Sequence, residues 1–480
     1  MHLRPILYAV GLLLGILAGT MLIAALVDLA HRNDSWKVFA VGAVFTFIVA
    51  SLLVVAAWDE KPVRLSIKDG FLLTTLSWLV LTAFAAVPFT LLGLSYTDSF
   101  FEAMSGLTTT GSTVLVGLDK LPHGILAWRA MLQGIGGLGF IVMAIIVLPQ
   151  LRIGGMQLFQ TESSDKSEKV VPRAIELMSG IAGIYALLIA LCALTFLALG
   201  MTLFDAICHA LATLSTGGFS THDESFAFFK SPAMEWAGTL FMLSGALPFV
   251  LLIRALRGEP RALLEDEQVR GFVGFVVGVS AVLGVWLALT KGMPILDALR
   301  LASFNVVSIV TTTGFASDDY TKWGPLAVGV FLVLTFVGGC SGSTAGAIKI
   351  YRLQISGILA RNHFTRLTSP NQIVSLSYNG RRLPEDVPFS IVAFLTIYIM
   401  TVGLFTLLLS ALGLDLVTSL SSSAQAIGNV GPGLGDFVGP AGNYSTLPAT
   451  AKWLLAFAML LGRLELFTVL VLLRPEFWRR

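Results

Sequence analysis

Ten apolar runs divide this chain, near residues 5–29, 37–58, 70–93, 125–149, 175–200, 233–257, 269–290, 323–350, 387–412 and 451–474. A helix of about 20 apolar residues crosses the hydrocarbon core of a bilayer, and a soluble fold has no place to bury ten of them. Only 12% of the 480 residues are charged while 55% are hydrophobic, against roughly 25% charged in soluble domains. The chain therefore reads as an integral membrane protein. Disordered, collagenous and coiled-coil classes are excluded, and a net charge of +2 gives no reason to expect a nucleic-acid partner. Cys192, Cys208 and Cys340 lie in apolar or glycine-rich stretches without a CxxC pair, so they read as buried thiols rather than a disulfide framework or zinc site. The first run is too long for a cleaved leader and lacks a convincing cleavage site, so it is expected to stay as a span.

Between the runs lie four short segments, 98–111, 204–217, 297–314 and 415–431, which start polar and end in threonine, serine and glycine. Their closing strings are TTTGST (108–113), LSTGGFS (214–220), TTTGF (311–315) and GNVGPG (428–433). Gly111, Gly217, Gly314 and Gly431 are separated by 106, 97 and 117 residues. A period near one hundred, shared by hydropathy and by a local motif, marks four copies of one unit. The expected fold is an all-α polytopic membrane protein: four helix–pore-loop–helix repeats around a central pore, preceded by two extra helices. The expected divisions are 1–69, 70–173, 174–268, 269–386 and 387–480.

Lysine and arginine set the orientation. With the N-terminus cytoplasmic, 21 of the 31 basic residues fall inside, nine outside, and Arg463 inside a helix. Both termini are then cytoplasmic. The outer loops are net negative, with Asp119, Asp223, Glu224, Asp318, Asp319 and Asp436 close to the short segments. Such a mouth concentrates cations, although ordinary solvated loops also carry acids.

Non-helical backbone survives at membrane depth only where it lines water or packs against protein. Four such stretches meeting on one axis can present carbonyl oxygens that replace a cation's hydration shell. Glycine allows the left-handed backbone and close approach this requires. Thr110, Thr216 and Thr313 precede three of the glycines, and Val430 precedes the fourth.

The strings FFEAMSGLTTTGSTVL (100–115), WRAMLQGIGGLGFIVM (128–143), IGGMQLFQTE (153–162), FNVVSIVTTTGF (304–315) and AMLLGRLELFTVLVLL (458–473) resemble the TrkH/KtrB superfamily of potassium transporters. The two extra N-terminal helices resemble its TrkH branch. The resemblance implies potassium uptake across the bacterial inner membrane, with filter glycines at Gly111, Gly217, Gly314 and Gly431. It places an intramembrane gating loop on TFVGGCSGSTAGAIKIYR (335–352). There Gly338, Gly339, Gly342, Ser343 and Gly346 make a poor helix, with Lys349 at its end; the same small residues would also suit a close helix contact. Arg463 matches the family's pore arginine, a fixed charge below the filter, or alternatively pairs with a neighbouring helix or carbonyl. Glu465, two positions on, points elsewhere on the helix. The resemblance further implies a homodimer resting on cytosolic nucleotide-binding (TrkA-like) regulatory subunits. The basic segments 150–173 and 359–386 could meet such a partner or anionic lipid headgroups.

Potassium is expected as cargo, with no organic cofactor. Few intramembrane carboxylates beyond Glu465 and Asp28 offer a proton relay, which favours a channel-like route over K⁺/H⁺ or K⁺/Na⁺ symport. Neither HExxH nor GxSxG is present, so no enzyme is expected. Gly134, Gly136 and Gly139 match GxGxxG but follow no strand, so a dinucleotide site is not indicated. His209 reads as a packed polar residue, and His222 beside Asp223 as a pH modulator of the mouth.

Overall fold

The protein is described here from a computed structural model covering residues 2–59, 66–147, 170–369, 372, 376–435 and 437–479. The 153–162 string, Asp436 and most of the 150–173 segment lie outside the described residues.

Two long helices, Leu3–Ala30 and Trp36–Ala57, form an antiparallel pair. Asp28 joins this pair to the next unit by accepting from the Gly124 amide (2.6 Å) and from Ser35 (2.7 Å). That satisfies a carboxylate the sequence left as a possible relay.

Four units follow. Each has a short pore helix: Tyr96–Leu107, Leu203–Leu214, Ile295–Val310 and Leu416–Gly428. Ser95, Thr202 and Asp415 cap the first, second and fourth by accepting from the amide three residues on, meeting donors a helix start leaves orphaned. Beyond their exposed first turns the pore helices are largely buried despite many hydroxyl residues, because other helices surround them.

Among the described residues seven helices are long and apolar enough to span a membrane. Two further spans are bent pairs, Pro232–Gly245 with Phe249–Leu256 (103°) and Ala449–Arg463 with Phe467–Leu473 (106°). The tenth apolar run, 323–350, becomes the short helix Pro325–Leu334 followed by non-helical chain. The sequence anticipated one broken inner helix, and three are found among the described residues. Pro248 heads the inner segment of one bend; the other turns through Glu465 and Leu466, both left-handed at φ +57° and +45°. Hydropathy registers apolar length, not direction, so two bends were invisible to it.

Buried apolar side chains form two clusters. One joins the N-terminal pair with the first and fourth units, through residues such as Phe89, Trp128 and Leu455. The other joins the second and third units, through Phe226, Phe304 and Phe331. Side chains on the outward faces, including Leu289 and Phe389, are exposed, as lipid contact requires.

Candidate functional site: four pore loops and a plug

The four loops share one backbone pattern. The amides of Thr110, Gly217, Thr313 and Val430 each bond the carbonyl five residues back, at 2.8, 2.9, 2.8 and 3.0 Å. The residue before each is left-handed: Thr109, Thr216, Thr312 and Asn429 have φ +52°, +52°, +59° and +54°. The residue after each is a left-handed glycine: Gly111, Gly218, Gly314 and Gly431, at φ +90°, +73°, +83° and +103°. A β-branched residue in this region costs about 1–3 kcal/mol, and three threonines bear it at one equivalent position.

This pattern corrects the second loop by one residue. Gly217 stands where the other loops have Thr110, Thr313 and Val430, and Gly218 is the left-handed glycine. Thr216 belongs with the strained Thr109 and Thr312. Adjacent glycines look alike in sequence, and only the backbone distinguishes them.

The loops close into a ring. A Cβ added to Gly111 would lie 2.3 Å from the carbonyl oxygen of Gly217; for Gly218 it is 1.9 Å from Thr313, for Gly314 2.2 Å from Val430, and for Gly431 2.6 Å from Thr110. Each glycine thus yields its side-chain space to the carbonyl of the next unit, in the order one, two, three, four, one. No substituted residue fits without moving backbone. Above the ring a vestibule of about 80 Å³ is lined by these four glycines together with His222, Asp223 and Tyr444.

Helix glycines hold the pore helices close. A Cβ on Gly136 would stand 1.8 Å from the Leu107 carbonyl oxygen, and one on Gly462 1.9 Å from that of Ile427. Gly134 and Gly136 of the GxGxxG string are therefore packing positions against the pore helices, and Gly139 meets nothing within 4 Å. His209 is wholly buried, bonded to Asp205 O (2.8 Å) and Ser220 Oγ (3.0 Å). The three cysteines are free and buried.

Below the ring, residues 335–349 leave the helix. Val337–Gly338 pairs in parallel with Ile348–Lys349, pinching the intervening chain into a loop. This loop rests against the undersides of three units. Gly346 N donates to Thr312 Oγ1 (2.7 Å) and Ala347 N to Gly428 O (2.8 Å). Thr344 Oγ1 donates to Leu214 O (3.1 Å) and Gly245 O (2.8 Å). Gly346 touches the fourth pore helix so closely that a Cβ would fall 2.3 Å from Gly428 O. Gly339 accepts from Ile350 N, and left-handed Gly342 offers its carbonyl to Phe249 N (3.0 Å). Ser343 Oγ bonds Cys340 O, and Lys349 Nζ bonds Ala345 O within the loop.

Arg463 is buried, as a carbonyl-paired side chain rather than one bordering open space. Its guanidinium donates to Thr344 O of the loop (2.9 Å) and Gly136 O (3.3 Å), and stacks 3.9 Å from the Phe140 ring centroid. Glu465 pairs with Arg352 at 2.7 Å, and Arg352 stacks on Phe394 at 3.7 Å. Arg129 and Glu102, a buried pair at 2.8 Å behind the first two loops, were also missed. A charged residue within an apolar run was the available signal; its partner, far away in sequence, was not.

Beside the vestibule Asp223, Glu224, Asp318 and Asp319 line a hollow of about 300 Å³. His222 bonds Asp119 and lies 3.6 Å from Asp205. Burial opposes charge on the ring, but the two carboxylates outweigh it and raise the His222 pKa. The His222 hydrogen bond in turn lowers that of Asp119.

Four re-entrant loops closing one ring, with a non-helical loop packed beneath it, define a pore protein of the four-unit cation-transport class. The chain belongs to the TrkH family, described as cation transport protein, which matches residues 35–480. It is 45% identical over 479 residues to the Trk system potassium uptake protein TrkI of Halomonas elongata, covering 99% of this chain and 97% of that one. It is 38% identical to the Trk system potassium uptake protein TrkH of Escherichia coli K12, over the full length of both. The crystal structure of the potassium transporter TrkH from Vibrio parahaemolyticus superposes with a TM-score of 0.92, at 36% identity and full coverage of both chains.

Proposed function

We propose that this protein takes up K⁺ across the bacterial inner membrane through the four-loop ring. The carbonyl oxygens of Thr110, Gly217, Thr313 and Val430 serve as the ion's ligands, and the glycines beside them supply the room. The observation that carries this reading is the cyclic closure, in which each unit's glycine faces the next unit's carbonyl. Pore-helix C-termini, which end beside the ring, favour a cation there. Carbonyl rings are how proteins replace a monovalent cation's hydration shell. Loop 335–349 is the gate, with Gly338, Gly339, Gly342, Ser343 and Gly346 giving it flexibility, Lys349 closing its base and Arg463 latching it. The inside-negative potential drives the ion by about 2.3 kcal/mol per charge per 100 mV.

A channel-like route is supported by the buried carboxylates: Glu102, Glu235 and Glu465 each face an arginine, which suits fixed structural roles better than a proton relay. The proposed assembly is a homodimer on cytosolic nucleotide-binding subunits, with both termini cytoplasmic and unit divisions near 69, 173, 268 and 386. The test is ⁸⁶Rb⁺ uptake into potassium-loaded proteoliposomes with Gly314→Asp as control. Uptake competed by K⁺ more than by Na⁺, and abolished in the variant, is expected. Undiminished uptake by the variant refutes the ring as the ion path.

A further inference from the structure

The four loops are braced in two different ways. In the first, Thr108 and Thr110 join their hydroxyls at 2.8 Å, and in the third Thr311 and Thr313 do the same at 2.8 Å. The second and fourth loops cannot, because the equivalent positions hold Ser215 with Gly217 and Gly428 with Val430.

Each of these two loops has a wholly buried glutamine instead. Gln133, from the inner helix of the first unit, spans the second loop's left-handed glycine. Its Oε1 accepts from Phe219 N (3.0 Å) and its Nε2 donates to Gly217 O (2.5 Å). The amide orientation is fixed, since a backbone N–H can only donate. Gln425, on the fourth pore helix, accepts from Gly431 N (3.2 Å) and from Ser112 Oγ (3.1 Å) of the first loop. Ser112 Oγ also donates to Gly431 O (2.9 Å).

We propose that Gln133 and Gln425 are positioning residues for ion selection, standing in for the threonine pair where the second and fourth loops lack it. The ring then alternates hydroxyl-braced and carboxamide-braced loops, a two-fold pattern within a four-unit pore. Gln133 matters most, because it holds a ring carbonyl directly and that carbonyl belongs to a glycine, whose backbone is otherwise the freest of the four.

The substitution of brace for brace is written in the sterics. A Cβ on Gly217 would lie 2.4 Å from Gln133 Cδ and 2.7 Å from each of its amide atoms, which are the three nearest atoms to it. Gly217 itself is not left-handed, so its backbone accepts a threonine. Threonine at 217 and glutamine at 133 therefore exclude each other, and removing one makes room for the other beside Ser215.

This inference rests on the reading that the four loops select the ion, and the experiment separates the two. Purified protein is reconstituted as wild type, Gln133→Ala, Gln133→Met, Gly217→Thr, Gly217→Thr with Gln133→Ala, and Gly314→Ser. The readout is the ratio of Na⁺ to K⁺ concentrations that halve ⁸⁶Rb⁺ uptake, per reconstituted protein eluting as one species. Gln133→Ala lowers that ratio about tenfold, the weight of one buried hydrogen bond. Gly217→Thr alone loses uptake, and the double variant recovers uptake and most of the preference, a rescue that a merely structural glutamine would not permit. A full preference in Gln133→Ala, or a double variant no better than Gly217→Thr, overturns the brace. Should Gln133→Ala not survive purification, Gln133→Met decides: it fills a similar volume but offers no donor to Gly217 O, and an unchanged ratio overturns the proposal. An unaltered ratio in Gly314→Ser instead refutes selection by the loops.

Discussion

Removing the Arg463 side chain opens the plug. The guanidinium makes two charged hydrogen bonds, to Thr344 O at 2.9 Å and Gly136 O at 3.3 Å, and stacks on Phe140 at 3.9 Å. Only the Thr344 contact distinguishes the plugged state from one in which the loop has moved, because Gly136 and Phe140 lie on a helix outside the loop. A hydrogen bond to a charged group contributes about 1.5–3 kcal/mol, so Arg463→Ala shifts the closed-to-open equilibrium by roughly 10- to 150-fold toward open. Loss of the fixed positive charge lowers the barrier to a passing cation as well, and both effects raise flux. The assay is ⁸⁶Rb⁺ uptake by proteoliposomes containing this chain without any regulatory partner, where the wild type is expected to show a measurable but low basal rate. Arg463→Lys, which keeps the charge but not the forked geometry, should fall between. Equal uptake by wild type and Arg463→Ala would refute both the latch and the barrier.

Other consequences follow from the same contacts. Glu465→Gln leaves Arg352 buried opposite a neutral amide, which costs about 3–5 kcal/mol; its melting temperature in detergent should fall sharply, and Arg352→Met with Glu465→Leu should recover much of the loss. Gly136→Ala forces a Cβ to 1.8 Å from Leu107 O and should cost at least about 1–3 kcal/mol, with loss of uptake. Gly139→Ala on the same helix meets nothing within 4 Å and should behave as wild type; equal effects would refute the packing role of Gly136. His222 has its pKa raised above the ordinary 6.5 by Asp205 and Asp119, against the effect of burial. Its contribution to stability is complete below pH 6.5 and fades as the pH rises through the higher folded-state value. The melting-temperature gap between wild type and His222→Gln should shrink over that window, and a gap constant from pH 6 to 9 would contradict the carboxylate contacts.

Much of the architecture was legible because lipid imposes it. Apolar length names the spans, and four polar interruptions ending in glycine name the loops, since irregular backbone at membrane depth needs a shared reason. The break in the helix after Leu334 was legible from the glycines of 335–352 for the same cause. What escaped was whatever depends on direction or on distant partners. Gly217 and Gly218 are interchangeable until the hydrogen bond that Gly217 N donates to Ala212 O, together with the left-handed φ of Gly218, fixes the register. Gln133 meets Gly217 84 residues away, and no local pattern announces it. Arg463 was visible as an outlier, yet its carbonyl partners became apparent only when the loop of the third unit came to rest beneath the ring.

The central claim is that Thr110, Gly217, Thr313 and Val430 present the carbonyls that hold the transported ion. Crystals grown in rubidium and in sodium, measured for anomalous scattering, test it most directly. The account predicts a rubidium peak on the axis in contact with all four oxygens, absent from the sodium crystals and from Gly314→Ser. A peak seated elsewhere, or one unaffected by the substitution, would contradict it.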